Sequence, residues 1–285
     1  MIGIPPMFCL QLRNELWKLF GKKRTYIGFF MFLFAQNVIA LVFRFTQASK
    51  PMQRMLEMSG HLAEPFISVL TIATIMLVPA AAFLLPLYVA LVGGDLVAKE
   101  AEDGTLRMIL SRPVSRFRLL VVKWVAGCIF SLLLVLALGV FGLAFSRLYF
   151  PWGGMFVWLP EHGIFGVFEA QTGLVRYVAG HLMLVTEAAS IMCLALLFSC
   201  FNVKPAAATI LALSLTFVSF IMEHIPYFKD YQNWFFTYHL HLWQFMFAEK
   251  IPWWRIGQSL SLLVGFNATF LAIGMASFHI RDIKS

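Results

Sequence analysis

The chain has 285 residues, 60% of them hydrophobic and only 13% charged. Soluble domains hold about 45–50% apolar and about 25% charged residues, so this composition excludes a soluble globular protein and points to an integral membrane protein. The formal net charge of +8 does not indicate nucleic acid, because the basic residues flank apolar runs, where they set topology and meet anionic lipid.

Phe8 to Phe20 places Cys9, Leu12, Leu16 and Phe20 at helical spacing, with Gln11, Asn14, Glu15 and Lys18 on the opposite side. A helix this short and polar cannot span, so residues about 8–20 are expected to lie in the inner interface and turn at Gly21 into the first span. Arg13, Lys18, Lys22, Lys23 and Arg24 precede that first apolar run and no small-residue cleavage site follows it, so it reads as a retained span rather than a cleaved signal.

A span needs about 20 mostly apolar residues. Six stretches qualify, about 26–44, 66–93, 119–147, 177–200, 205–222 and 257–279, so the chain 1–285 reads as a single all-α transmembrane domain. Pro79 and Pro86 lie in the second stretch, and each removes a backbone hydrogen bond and predicts a kink. Phe201 to Pro205 is a tight turn, with Pro205 suited to start a helix. Residues about 45–65 and 148–176 read as loops. Residues about 223–256, dense in aromatics from Tyr227 to Trp254, read as short interfacial helices over the outer face.

With both termini cytoplasmic, the inner segments hold Arg13, Lys18, Lys22, Lys23, Arg24, Lys99, Arg107, Arg112, Arg116, Arg118, Lys123, Lys204, Arg281 and Lys284. These are 14 of the 22 Lys and Arg residues, although the outer loops are longer. The positive-inside rule therefore puts both termini, and the polar island about 95–118, in the cytoplasm.

That island is the densest charge in the chain. Asp103-Gly104 signals a turn, Thr105 is a suitable N-cap for a helix to about Ser111, and Pro113 ends or kinks that helix. Ser115 is placed to cap the approach to the third span. Leu106, Met108, Ile109 and Leu110 offer apolar surface to a partner's cleft, while Arg107, Arg112 and Arg116 can pair with carboxylates there. On physical grounds alone a solvated basic loop that enforces topology explains the island equally well.

The run Glu102-Asp103-Gly104-Thr105-Leu106, then Ser111-Arg112-Pro113-Val114-Ser115-Arg116, then Lys123, resembles the cytoplasmic coupling segment of type-two ABC transporter permeases. The basic amphipathic segment around Leu12–Arg24 resembles that family's elbow helix, and Phe278 to Ile283 resembles its tail. The resemblance implies a six-span permease of a prokaryotic inner membrane, pairing with a second, identical or related permease chain and with two ABC ATPase subunits, usually for export. It implies docking through Glu102, Asp103, Gly104, Thr105, Leu106, Arg112, Pro113 and Arg116. ATP and Mg²⁺ would be used by the ATPases. This chain would bind no cofactor, and it contains no G-x-x-x-x-G-K-[ST] loop with which to hydrolyse ATP alone.

Three polar residues fall deep in spans: Gln36, Asn37 and Glu187. A mid-helix carboxylate costs about 2.5–3.5 kcal/mol on insertion scales, so Glu187 is expected to face the interior, with Ser190 one turn on. These three either line a pathway or hydrogen-bond between helices to fix packing. Metal binding is disfavoured: His239 and His241 point apart on a helix, His224 joins them only by loop folding, and Cys9, Cys128, Cys193 and Cys200 are scattered without ligand spacing. Two other classes stay open, a membrane anchor or regulator of an ATPase that transports nothing, and an intramembrane enzyme or redox protein.

Overall fold

A computed structural model describes residues 7–111 and 115–280. Its helices in chain order are α1 (Met7–Phe20), α2 (Lys23–Phe45), α3 (Lys50–Met58), α4 (Val69–Pro79), α5 (Leu85–Glu102), α6 (Thr105–Leu110), α7 (Arg116–Tyr149), α8 (Ala170–Cys200), α9 (Pro205–His224) and α10 (Trp253–Ile280). Six stretches are long and apolar enough to cross a membrane: Thr25–Phe45, Val69–Glu102, Arg116–Tyr149, Ala170–Cys200, Pro205–His224 and Trp253–Ile280. The fold is that of an all-α integral membrane protein.

Burial decides which helix is central. Of the most apolar window of α8, 67% is buried, against 17% in α2, 22% in α9 and 17% in α10. Helix α8 is therefore the axis of the bundle, packed against α5, α7, α9 and α10, and the peripheral helices leave apolar faces uncovered. Small residues permit the closest approach. A Cβ on Gly93 of α5 would stand 2.6 Å from the Met192 carbonyl oxygen of α8, so only glycine lets these backbones meet. About two helical turns further along α8, Ser199 Oγ enters the α5 hydrogen-bond ladder, accepting from Ala98 N at 2.8 Å and donating to Gly94 O at 2.7 Å.

The kinks expected from Pro79 and Pro86 take a specific form. Helices α4 and α5 run on through a π-helical turn at Ala80–Leu84, where Leu85 N bonds Ala80 O five residues back. The wider turn absorbs hydrogen-bond partners that the prolines remove.

The loops are more structured than spacing alone suggests. Residues 50–58 form the amphipathic α3, anchored by buried Met52 and Leu56. The region 148–176 contains an antiparallel hairpin of β1 (Met155–Leu159) and β2 (Ile164–Phe168), turned at Gly163 with φ +63°. Alternation in these five-residue strands is too short to stand out beside the long apolar runs. The aromatic stretch splits into two 3-10 helices. Pro226–Trp234 is exposed, but Thr237–Phe247 sinks into the bundle, with Trp243 and Phe247 buried. This second half is thus part of the bundle's own packing rather than an exposed cover. Gly180 of α8 leaves room for the Phe247 ring, which a Cβ there would meet at 2.9 Å.

Candidate functional site

At the end of the bundle carrying α1, helices α5 and α7 are joined by α6, and the surrounding side chains are unusually well tied. Helix α5 ends in a turn at Gly104, whose φ of +72° is a left-handed conformation that glycine adopts without steric cost. Gly104 thus occupies the cap position expected of Thr105, and the Thr105 hydroxyl instead donates to Glu100 O at 3.2 Å. Leu106 is fully buried in the chain's own core, so it fastens α6 to the bundle instead of presenting surface. Met108, 65% exposed, is an apolar residue that α6 offers outward.

The charged candidates are partly engaged within the chain. Lys99 Nζ lies 2.7 Å from Glu102 Oε2 and 3.0 Å from Asp103 Oδ1. Arg112 and Pro113 lie outside the described residues, as does the tail from Arg281. Ser115 caps α7, accepting from Arg118 N at 3.2 Å. Arg116 reaches across to α10, donating to Phe278 O at 2.9 Å and His279 O at 2.8 Å, with its guanidinium 5.9 Å from the Phe278 ring. It closes the C-terminus of α10, where a cation also meets the negative end of the helix dipole.

Beneath α6 lies a four-membered ion network, buried except at Lys18. Lys123 of α7, with its side chain 1% exposed, sits 3.0 Å from Glu15 Oε2 of α1 and 2.8 Å from Glu100 Oε2 of α5. Lys18 sits 2.7 Å from Glu15 Oε1 and 2.9 Å from Glu100 Oε1. Two cations and two carboxylates thus alternate, and the set is electrically neutral. Burial alone would raise the Glu15 pKa, but Lys123 and Lys18 outweigh it and hold the carboxyl below its usual value. Burial likewise works against the charge on Lys18, but bonds to Glu15 and Glu100 hold its ammonium above its usual value. The sequence contained a signal for this site: Lys123 is a cation at the head of a long apolar run, and such a charge requires a buried partner.

Next to the network, α1, α5 and α6 border a cavity of about 790 Å³ whose lining includes Asn14, Lys18, Lys99, Asp103, Thr105 and Met108. It combines charge of both signs with the exposed apolar face of α6, the chemistry that suits a protein partner's mixed surface.

The intramembrane polar residues are dispersed among packing contacts. Gln36 Nε2 donates to Leu138 O of α7 at 2.9 Å, and the cavity beside Gln36 is only about 10 Å³. Tyr177 donates to the adjacent Gly139 O at 3.0 Å, so α2 and α8 clasp the same turn of α7. Asn37 Oδ1 accepts from Tyr149 at 3.4 Å. Glu187 is buried in α8 facing the indole of Trp243, although Glu187 Oε2 and Trp243 Nε1 fall short of hydrogen-bond geometry. Ser190 accepts from Asn267 Nδ2 of α10 at 2.9 Å.

A family model described as ABC-2 family transporter protein matches residues 14–237. Uncharacterized protein YhcI of Bacillus subtilis (strain 168) is 32% identical over 68 residues, which cover 24% of this chain and 22% of YhcI.

Proposed function

Because the chain belongs to the ABC-2 family of transporter proteins, we propose that it is the permease subunit of an ATP-driven exporter, engaged by its ATPases through α6 and the cavity beside it. Two permease chains, identical or related, enclose the pathway in a prokaryotic inner membrane with their termini in the cytoplasm. Two ATPase subunits, which alone bind ATP and Mg²⁺, seat on the cytoplasmic α6 of each. Nucleotide-driven closure of the ATPases moves α6 as a rigid body, and the helices rock between inward- and outward-facing states.

One observation carries the reading: α6 is pinned from below by Leu106, which is fully buried, yet presents Met108 beside a charged cavity. A six-residue helix that floated on its loops would transmit no displacement. Pinned by Leu106 and tied by Thr105 to Glu100 O of α5, it can pass a push to α5, whose Glu100 the Lys123 network joins to α1 and α7. In this reading Glu102, Asp103, Gly104, Thr105, Arg112 and Pro113 shape the docking surface, while Leu106 and Arg116 support it from inside. Gln36, Asn37 and Glu187 hold helices in register, consistent with their contacts to Leu138, Tyr149 and Trp243.

The test is affinity purification of the tagged chain from its native membranes in mild detergent. Recovery of a soluble ATPase that is lost on Met108→Glu or Arg112→Glu, with the chain still folded, is the expected result. A chain that purifies alone even after crosslinking, or retains the ATPase in both variants, overturns the assignment.

A further inference from the structure

At the end of the bundle away from α6, three histidines that lie far apart in sequence converge. His162 comes from the turn between β1 and β2, His224 from the last turn of α9, and His241 from the second 3-10 helix. The His162 and His241 rings are 5.9 Å apart, and Phe220 stands between His241 (6.4 Å) and His224 (4.3 Å). On the other side His162 packs 5.3 Å from Phe245, and the Arg255 guanidinium lies 4.5 Å from that same Phe245 ring. His162 Nε2 is buried with no hydrogen-bond partner among the described residues.

These imidazoles are not arranged as ligands: among the described residues no group of three or more His, Cys, Asp or Glu could hold a metal ion. What remains to them at physiological pH is protonation. Burial makes that costly, and the surrounding charges shift the cost in both directions. Glu161 is exposed on the hairpin turn. Helix α9 contributes Glu223, and α10 contributes Arg255, which bonds the Tyr238 hydroxyl. The first 3-10 helix carries Lys229 and Asp230, both exposed, and the second carries His239, already committed to Ser259 Oγ at 3.0 Å and Asn233 O at 2.9 Å. Arg176 of α8 holds the carbonyls of Met246 and Ala248 at the far end of that helix.

We propose that His162 and His241 form an acid-sensitive latch, holding the hairpin turn against the Thr237–Phe247 helix while both rings are neutral and releasing it when they gain protons. Two imidazolium ions 5.9 Å apart in a half-buried site would repel each other, and His162 would also repel Arg255. Burial first, then the neighbouring His162 and His224, pushes His241 down to about 4. Burial first, then Arg255, lowers His162, only partly offset by Glu161. The sign follows: folded-state values below the ordinary 6.5 mean that the latch contributes its full stability above about pH 6.5 and loses it as pH falls toward about 4. Release has a defined consequence, since the same 3-10 helix covers α8 at Gly180 and carries Trp243 to Glu187.

Amide hydrogen exchange on the full chain in detergent, at about pH 7.5 and about pH 5 with intrinsic rates corrected, tests this. Peptides covering 155–168 and 237–247 should lose protection about tenfold or more at the lower pH, while those of α5 stay unchanged. The double variant His162→Gln with His241→Gln should abolish the pH response. Arg255→Gln, which keeps both histidines and removes one repelling cation, should shrink it, and this variant decides the matter if the double variant does not fold. Equal protection of the wild-type chain at both pH values, or an undiminished response in these variants, overturns the latch.

Discussion

Lys123 Nζ lies 3.0 Å from Glu15 Oε2, which joins the start of α7 to the N-terminal helix over 108 residues of sequence. Glu100 of α5 and Lys18 of α1 complete the set, so three elements around α6 are fastened by one cluster of charge. A buried ion pair gains little net stability over a well-packed apolar substitute, but breaking it from one side is expensive, because the abandoned charge stays buried.

Lys123→Met should therefore destabilise the chain by about 3–5 kcal/mol, since Glu15 and Glu100 each lose their most deeply buried partner. Adding Glu15→Gln and Glu100→Gln should recover part of that loss by removing the stranded charge. Thermal unfolding in detergent reads both changes, and a single variant as stable as wild type would refute the role assigned to the network.

The network also sets a pH window for the seating of α1. Glu15 titrates below its ordinary 4.5 in the folded chain, so its contribution is complete above about pH 4.5 and is lost as pH falls through the lower folded value. Lys18 titrates above its ordinary 10.5, so its contribution is complete below about pH 10.5 and is lost as pH rises further. Limited proteolysis at the Gly21–Lys22 turn should be slow inside this window and accelerate on the acid side.

Arg116 and Met108 separate support from docking. Arg116→Ala frees the Phe278 and His279 carbonyls, and should cost about 1–2 kcal/mol because the end of α10 is partly open to water. Met108→Glu, at an exposed position, should change the stability of the isolated chain by less than about 0.5 kcal/mol. Unfolding curves of the two variants, measured without any partner, check the contrast.

Gly93→Ala inserts a methyl group 2.6 Å from the Met192 carbonyl oxygen, a backbone atom that cannot swing aside. Helices α5 and α8 must then separate, at about 1–3 kcal/mol. Gly257, whose added Cβ would meet nothing within 4 Å, is the control and should accept alanine without loss. Yield of monodisperse protein and midpoint of thermal unfolding should fall for the first and hold for the second.

Sequence alone determined the solvent and the scale of the fold. Composition required a membrane, and runs of about 20 apolar residues cannot satisfy their backbone there except as helices, so six such helices were readable without coordinates. The short amphipathic α1 and the Gly104 turn were equally readable, because periodicity and glycine are local signals. Tertiary structure decided what each polar residue does. Nothing in the spacing reveals that Lys123 answers Glu15, that Arg116 turns inward to α10, or that Leu106 is buried while Met108 is not. His162, His224 and His241 meet only because the hairpin between α7 and α8 and the segment that follows α9 fold over one end of the bundle. The reason is physical: in a bundle whose surface is as apolar as its core, hydrophobicity no longer distinguishes inside from outside, and the partners of a buried charge or imidazole are set by helix packing alone.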